Sequence, residues 1–211
     1  SGTGALTHNA TSTLTLSNNN TYSGATTINA GTIEIAAAGR LGGGAYSGNI
    51  ANSGLLIYSG TNNQTLSGII SGNGALTQNN TATLTLSGNN TYTGTTTINA
   101  GTLAIGANMT MGAFTGTGNL SIGNGFTLTT NTSTSNTFSG LVIGSGSLTK
   151  NGSGTLTLSN AANTYNGSTT VNAGTLAVSG NISSSAITLN SGGVISAGSA
   201  AAVAKFNAAS L

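Results

Sequence analysis

Residues 72–105 read GNGALTQNNTATLTLSGNNTYTGTTTINAGTLAI, and two other stretches of the chain repeat this string with few changes. Residues 2–35 read GTGALTHNATSTLTLSNNNTYSGATTINAGTIEI, and residues 144–178 read GSGSLTKNGSGTLTLSNAANTYNGSTTVNAGTLAV. The copies begin 70 and then 72 residues apart. Self-similarity at a nearly fixed period is typical of repeat architectures, in which each unit buries its apolar edge against its neighbours.

Within each copy the apolar and polar residues alternate with a period of two. Thr13 to Leu16, Thr32 to Ile35 and Thr155 to Leu158 place Leu and Ile on one side and Thr or Glu on the other. This alternation is typical of β-strands that are buried on one face. No helical stripe interrupts it before an Ala-rich tail that begins at Ser199. We therefore expect an all-β fold.

A shorter signature divides the long repeat into coils: an apolar strand, a polar turn that often contains Asn, a Gly, and the next apolar strand. Gly and Asn favour such turns because both tolerate a left-handed backbone. The signature predicts a right-handed parallel β-helix (β-solenoid) of about nine coils of 18–28 residues, with three coils in each repeat. Residues 1–198 form this single domain, with repeats starting near 2, 72 and 144, and 199–211 form the tail or the next coil. The turn glycines are Gly4, Gly31, Gly54, Gly74, Gly101, Gly125, Gly146, Gly174 and Gly192.

A second marker is an aromatic residue or Leu followed by one small polar residue and Gly. It predicts which residues of successive coils lie above one another. If it occurs once per coil, its members form one column along an edge of the rod, spaced by roughly 4.8 Å. Gly31, Gly101 and Gly174 should then carry positive φ angles at the turns between strands. The proposed column is Tyr22, Tyr46, Leu66, Tyr92, Phe114, Phe138 and Tyr165.

The shared string G-x-G-x-L-T-x-N…T-L-T-L-S…N-T-Y-x-G-x-T-T-[IV]-N-A-G-T-[IL] resembles the autotransporter-associated (passenger-associated) β-strand repeat of type V secreted proteins. The three copies carry the motif directly over roughly half of the chain. The resemblance implies a passenger segment displayed outside the cell, on the bacterial surface, as a right-handed β-helix. The family is defined by its scaffold, so the resemblance carries over no catalytic residues.

The composition excludes most chemistry. Only 2% of the residues are charged, and Asp and Cys are absent. An acid pair, a nucleophile with its base, and a set of metal ligands are all missing from the sequence. We therefore predict that the chain is not an enzyme and has no catalytic, cofactor-binding or metal-binding residues. The few scattered charges argue against nucleic-acid binding, and without an 18-residue apolar run we expect no membrane insertion by this segment.

A few residues are nevertheless candidates for a catalytic or binding role. His8 aligns with Gln78 and Lys150, and this tolerance favours a solvated turn over a functional imidazole. Glu34 aligns with alanines and is expected to point outward. The tyrosines of the aromatic marker could stack on sugars, but packing at a corner is the favoured role.

The leading hypothesis is an extracellular structural or adhesive scaffold. Recognition of ice or a carbohydrate lattice by the pairs Thr13/Thr15, Thr83/Thr85 and Thr155/Thr157 is an alternative, although these pairs were expected three coils apart. An end-to-end polymerising filament is a second alternative. The expected partners are neighbouring coils or copies of the same protein, and a host surface, an abiotic surface or a glycan.

Overall fold

A computed structural model describes residues 2–180, 182 and 186–197 of the chain. All strand pairs in this part of the chain are parallel, and successive coils stack into a β-solenoid of about nine turns. No α-helix occurs among the described residues, and a single 3-10 turn covers Gly42–Gly44. The predicted fold class is therefore confirmed. The predicted Ala-rich tail, 199–211, lies outside the described residues.

The strands line three faces of the rod, which the chain visits in the same order in each coil. The ten-strand face contains Thr13–Leu16, Thr32–Ala37, Leu55–Gly60, Ala75–Gln78, Thr96–Ile98, Phe114–Gly116, Asn136–Phe138, Thr155–Leu158, Gly174–Val178 and Gly193–Ala197. The six-strand face contains Ala45–Tyr46, Gln64–Leu66, Thr83–Leu86, Thr102–Ile105, Asn119–Ile122 and Val142–Gly144.

The third face, here called the split face, consists of two sheets. The four-stranded sheet contains Leu6–His8, Thr26–Ile28, Ile50–Asn52 and Ile70–Ser71. The five-stranded sheet contains Met109–Met111, Thr127–Thr130, Ser147–Lys150, Thr169–Val171 and Ile187–Leu189. A separate two-stranded sheet pairs Asn19–Asn20 with Arg40–Leu41.

The core is a stack of inward-pointing apolar side chains that repeats in each coil. On the ten-strand face Ile33, Leu56 and Leu76 are register partners, and each is at most 1% exposed. Burying such a side chain stabilises the fold by about 1.5–3 kcal/mol. Since alternate residues point outward, the outer sides of the same strands carry Thr, Ser and Ala together with Glu34, Leu55 and Ile57.

The coil length differs from the one that the turn glycines predicted. Register partners in adjacent coils are between 17 positions apart, as for Thr102 and Asn119, and 24 positions apart, as for Thr26 and Ile50. Most steps are close to 20 residues, as for Gln64 and Leu84. The predicted 27- and 28-residue coils are therefore wrong, and a 70-residue repeat contains more than three coils.

Because 70 is not a multiple of 20, equivalent strands of successive copies lie on different faces. Thr13–Leu16 lies on the ten-strand face, whereas its equivalent Thr83–Leu86 lies on the six-strand face. The third equivalent, Thr155–Leu158, is on the ten-strand face again. The predicted three coils in each repeat are therefore wrong.

The single aromatic column is wrong for the same reason. Tyr46 and Leu66 are register partners, and the Tyr22 and Tyr46 rings meet edge to face at 5.5 Å. The next residue above Leu66, however, is Leu86, not Tyr92. Phe114 and Phe138 lie instead on the ten-strand face, where their ring centroids are 5.3 Å apart.

The local prediction about turns is confirmed. Gly31, Gly101 and Gly174 have φ angles of 65°, 63° and 66°. A Cβ atom on Gly101 would lie 2.2 Å from the carbonyl oxygen of Asn80 in the coil below. These turns therefore require Gly both for its backbone conformation and for the close approach of two coils.

Candidate functional site

Three aligned polar residues point into the rod, so their prediction as a solvated turn is wrong. His8 is 8% exposed, and Gln78 and Lys150 are 0% exposed. Their strands place Leu6, Leu76 and Leu148 inward, and the residue two positions later must point the same way. Extending the period-two alternation of each strand to its next inward position predicts this burial.

Each of these side chains bonds to the carbonyl oxygens of the turn that follows its strand. His8 Nε2 lies 2.9 Å from the Ser12 oxygen, and Gln78 Nε2 donates to Ala82 at 2.7 Å. Lys150 Nζ donates to the carbonyl oxygens of Gly152 and Ala173. Burial lowers the pKa of Lys150, because desolvation disfavours the charged amine. The shared role of these three side chains is to satisfy carbonyl oxygens of a buried turn, and this role is structural.

The tyrosine rings are not available to stack on sugars. Tyr46, Tyr92 and Tyr165 are at most 1% exposed. The hydroxyl of Tyr92 is hydrogen-bonded to Thr96 at 2.7 Å, and that of Tyr165 to Thr169 at 2.8 Å. The hydroxyl of Tyr46 is hydrogen-bonded to Thr26 of the coil below at 2.7 Å. These residues therefore have the packing role that the sequence favoured.

Glu34 lies on the outer side of the ten-strand face, as predicted. Its register partners are Thr15 below and Ile57 above. Neither partner is a titratable group. No group of three or more His, Cys, Asp or Glu residues that could hold a metal ion occurs among the described residues.

Threonine columns run along the outside of two faces. On the split face five threonines are register partners in successive coils, so neighbouring side chains are roughly 4.8 Å apart. A second column of five follows the ten-strand face, although the Thr pairs singled out in the sequence are divided between two faces. The split-face column is Thr110, Thr129, Thr149, Thr170 and Thr188, and the other is Thr77, Thr97, Thr115, Thr137 and Thr157.

A groove opens where the two sheets of the split face meet. Segment 89–93 occupies the coil position between them without forming a strand. It bonds downward, from Thr91 N to the Ile70 oxygen and from Thr93 N to the Gly72 oxygen, both at 2.9 Å. No backbone hydrogen bond of the described residues joins it upward to Met109–Met111. The interrupted ladder leaves a cavity of about 470 Å³.

The groove, here called the split-face groove, has neutral polar walls over an apolar floor. Its walls include Thr91, Thr110, Thr129, Asn108 and Asn131, and no charged residue lines it. The floor consists of the buried side chains Asn90, Tyr92, Met109 and Met111. Its volume lies within the range of about 300–1,000 Å³ that is typical of small-molecule sites. The sequence carries no signal for this groove, because the groove depends on a break in strand pairing.

The chain forms an extended solenoid with almost no charge, and its outward polar groups are mainly hydroxyls and amides. Residues 11–35, 76–105 and 148–178 match the passenger-associated-transport-repeat family. The chain therefore contains three copies of a repeat of autotransporter passengers, which supports a place on the extracellular side of the bacterial surface.

The chain is similar to the adhesin BmaC autotransporter of Brucella suis biovar 1 (strain 1330). The two are 44% identical over 158 residues, which is 66% of this chain and 4% of the relative's length. The chain thus spans a small part of the curated relative that it matches. No solved structure matches the chain significantly. Within the described residues, no helix has the length and hydropathy needed to cross a membrane.

Proposed function

We propose that this chain is a structural and adhesive scaffold segment of a surface passenger and has no catalytic activity. The observation that carries the proposal is the stacking of about nine parallel coils with a nearly uncharged outer surface. Each coil lengthens the rod by roughly 4.8 Å, so the length of the rod grows in proportion to the number of coils. The name of the relative, an adhesin, supports the adhesive part of the proposal.

The scaffold part is tested by removing one coil in register. Leu56 and Leu76 are register partners, so deletion of 56–75 from the full-length protein removes one coil and restores the stacking. We expect the shortened protein to be exported and displayed at the normal level. Deletion of 56–65, which moves later strands to a different face, is the matched control and should abolish display. Equal display of both variants would contradict the scaffold proposal.

The adhesive part is tested by competition. The purified 211-residue chain should block attachment of bacteria that carry the full-length protein to their target surface in a dose-dependent way. Absence of inhibition at every concentration would restrict the segment to a spacer role. The proposed lack of catalysis is tested on polysaccharide and peptide substrates. Turnover that is lost in Glu34→Gln or His8→Ala would contradict it.

Recognition of a regular lattice such as ice is the second candidate, favoured by the threonine columns. On the split face, Thr127 and Ser147 lie two positions before Thr129 and Thr149 and form a second outward row of hydroxyls. The equivalent positions on the ten-strand face include Leu55 and Ala75, which interrupts any second hydroxyl column there. Neither face carries two complete threonine columns side by side, which fits a lattice poorly, so we expect no thermal hysteresis in ice solutions. For the filament alternative, we expect sedimentation to give a monomeric rod.

A further inference from the structure

The strongest unexplained feature of the molecule is a buried amide in the split-face groove. Asn90 is 3% exposed, and its Oδ1 accepts a hydrogen bond from Ile70 N at 2.7 Å. This bond fixes the orientation of the amide. The Nδ2 atom of Asn90 is buried and has no hydrogen-bond partner. An unpaired buried donor costs about 1–3 kcal/mol, so it calls for a physical explanation.

The other two copies pair the same amide locally. Asn20 Nδ2 donates to the Asn18 oxygen at 2.6 Å in the first copy, and Asn163 Nδ2 donates to the Asn160 oxygen at 2.7 Å in the third. In the second copy the corresponding carbonyl, that of Gly88, accepts from the backbone N–H of Asn90 itself, at 2.9 Å. Only in this copy is the amide unpaired, and here Asn90 lines the split-face groove, so the missing bond coincides with the interrupted strand pairing.

We infer that the split-face groove binds a neutral oligosaccharide, with the exposed hydroxyls of Thr91 and Thr110 hydrogen-bonded to its hydroxyl groups. Sugar hydroxyls both donate and accept, as do the threonine hydroxyls and asparagine amides that form the walls. The inference deepens the proposed function and rests on it for the location of the ligand outside the cell.

The charge of the groove decides among ligand classes. Anionic sugars and nucleic acids need Lys or Arg, and a bound cation needs carboxylates. None of these residues lines the groove. Thr91 and Thr110 lie on opposite sides of the break in the ladder, so a sugar chain between them contacts hydroxyls on both walls. A neutral, polyhydroxylated ligand matches this set of groups.

The test uses the purified 211-residue chain on an array of neutral, acidic and sulfated oligosaccharides, followed by calorimetry with the best neutral ligand. Thr91→Val and Thr110→Val remove a wall hydroxyl at an exposed position and keep the β-branched shape. We expect each to weaken binding about tenfold. Thr170→Val, on the same column outside the groove, is the matched control and should bind within a factor of two of the unmodified chain.

A second readout follows Asn90 directly. Its side-chain amide signal in a ¹⁵N NMR spectrum should shift during the titration, while that of Asn163 stays in place. No binding of neutral oligosaccharides, or binding unaffected by both groove variants, would overturn the inference. Binding of an extended peptide instead would indicate strand addition at the interrupted ladder. Because this experiment uses purified protein, its failure leaves the surface display unaffected, and loss of display leaves the binding result intact.

Discussion

The first and second copies of the repeat, residues 2–35 and 72–105, share 25 of their 34 residues but differ in their places on the rod. The TLTL strand of the first copy lies on the ten-strand face, and that of the second lies on the six-strand face. Their turns are nevertheless alike, with φ angles of 65° at Gly31 and 63° at Gly101. The repeated sequence thus determines a strand and a turn, whereas the stacking of whole coils determines the face.

The largest expected effect concerns the turn that both copies share. Gly101→Ala places a Cβ atom 2.2 Å from the Asn80 oxygen at a φ angle of 63°. We expect it to lower the free energy of unfolding by about 3 kcal/mol or more. Gly125→Ala is the control, since its φ angle is 78° but its Cβ atom would meet no atom within 4 Å. That variant should cost about 1 kcal/mol in denaturant unfolding. Equal losses would show that coil contact is not the main constraint.

The second effect concerns the tyrosines of the two copies at alkaline pH. Burial raises the pKa values of Tyr22 and Tyr92 to about 12, against a weaker opposing effect of their bonds to Thr26 and Thr96. A raised tyrosine pKa favours the folded state below pH 10, and this contribution is lost as pH rises from about 10 to about 12. For the fully buried Tyr92 the loss is about 3 kcal/mol. Thermal melts should be nearly flat from acidic to neutral pH and fall steeply above pH 10. Constant stability through pH 12 would contradict the burial of these phenols.

The third effect exchanges the buried polar residues of two copies. Gln78→Lys introduces a buried cation without an acidic partner and should destabilise the chain by about 1–3 kcal/mol at pH 7. Lys150→Gln removes such a cation and keeps a donor for the turn, so it should stabilise by about 1 kcal/mol. Unfolding in denaturant measures both variants. Destabilisation by Lys150→Gln would mean that the amine is held by more than the carbonyls of Gly152 and Ala173.

The smallest effect separates Tyr92 from Tyr22. Tyr92→Phe leaves the buried Thr96 hydroxyl without its 2.7 Å partner and should cost about 1 kcal/mol. Tyr22→Phe should cost less than half of this, because Thr26 keeps a 2.7 Å bond to the Tyr46 hydroxyl. The difference in melting temperature between the two variants measures how far local context modifies the same motif. A larger loss for Tyr22→Phe would reverse this ranking.

The sequence predicted the features of the fold that depend on neighbouring residues. The solenoid class, the strand alternation and the positive φ angles at Gly31, Gly101 and Gly174 follow from local chemistry and are confirmed. The face of each strand depends on coil closure, which sums many turn lengths. A 20-residue step between glycines that stack at one corner, as for Gly48, Gly68 and Gly88, was available in the sequence and would have set the coil length.

The candidate groove was beyond such prediction for a different reason. Asn90 has the same neighbours in sequence as Asn20, and both precede Thr and Tyr. What distinguishes Asn90 is that the Gly88 carbonyl is already bonded to the backbone and that the ladder above it is interrupted. Both are properties of the folded coil stack. Single-position sequence patterns do not contain this information.

The most direct test of the coil length is cross-linking between two introduced cysteines. Because the chain has no native cysteine, only the introduced pair can react. Thr65 and Thr85 point outward and are register partners in adjacent coils. A single aromatic column, in which Tyr92 lies above Leu66, would instead pair Thr65 with Thr91. With a short bismaleimide, the double variant Thr65→Cys/Thr85→Cys should cross-link within the chain rapidly and completely. The variant Thr65→Cys/Thr91→Cys should remain unlinked, and the opposite outcome would contradict the coil of about 20 residues.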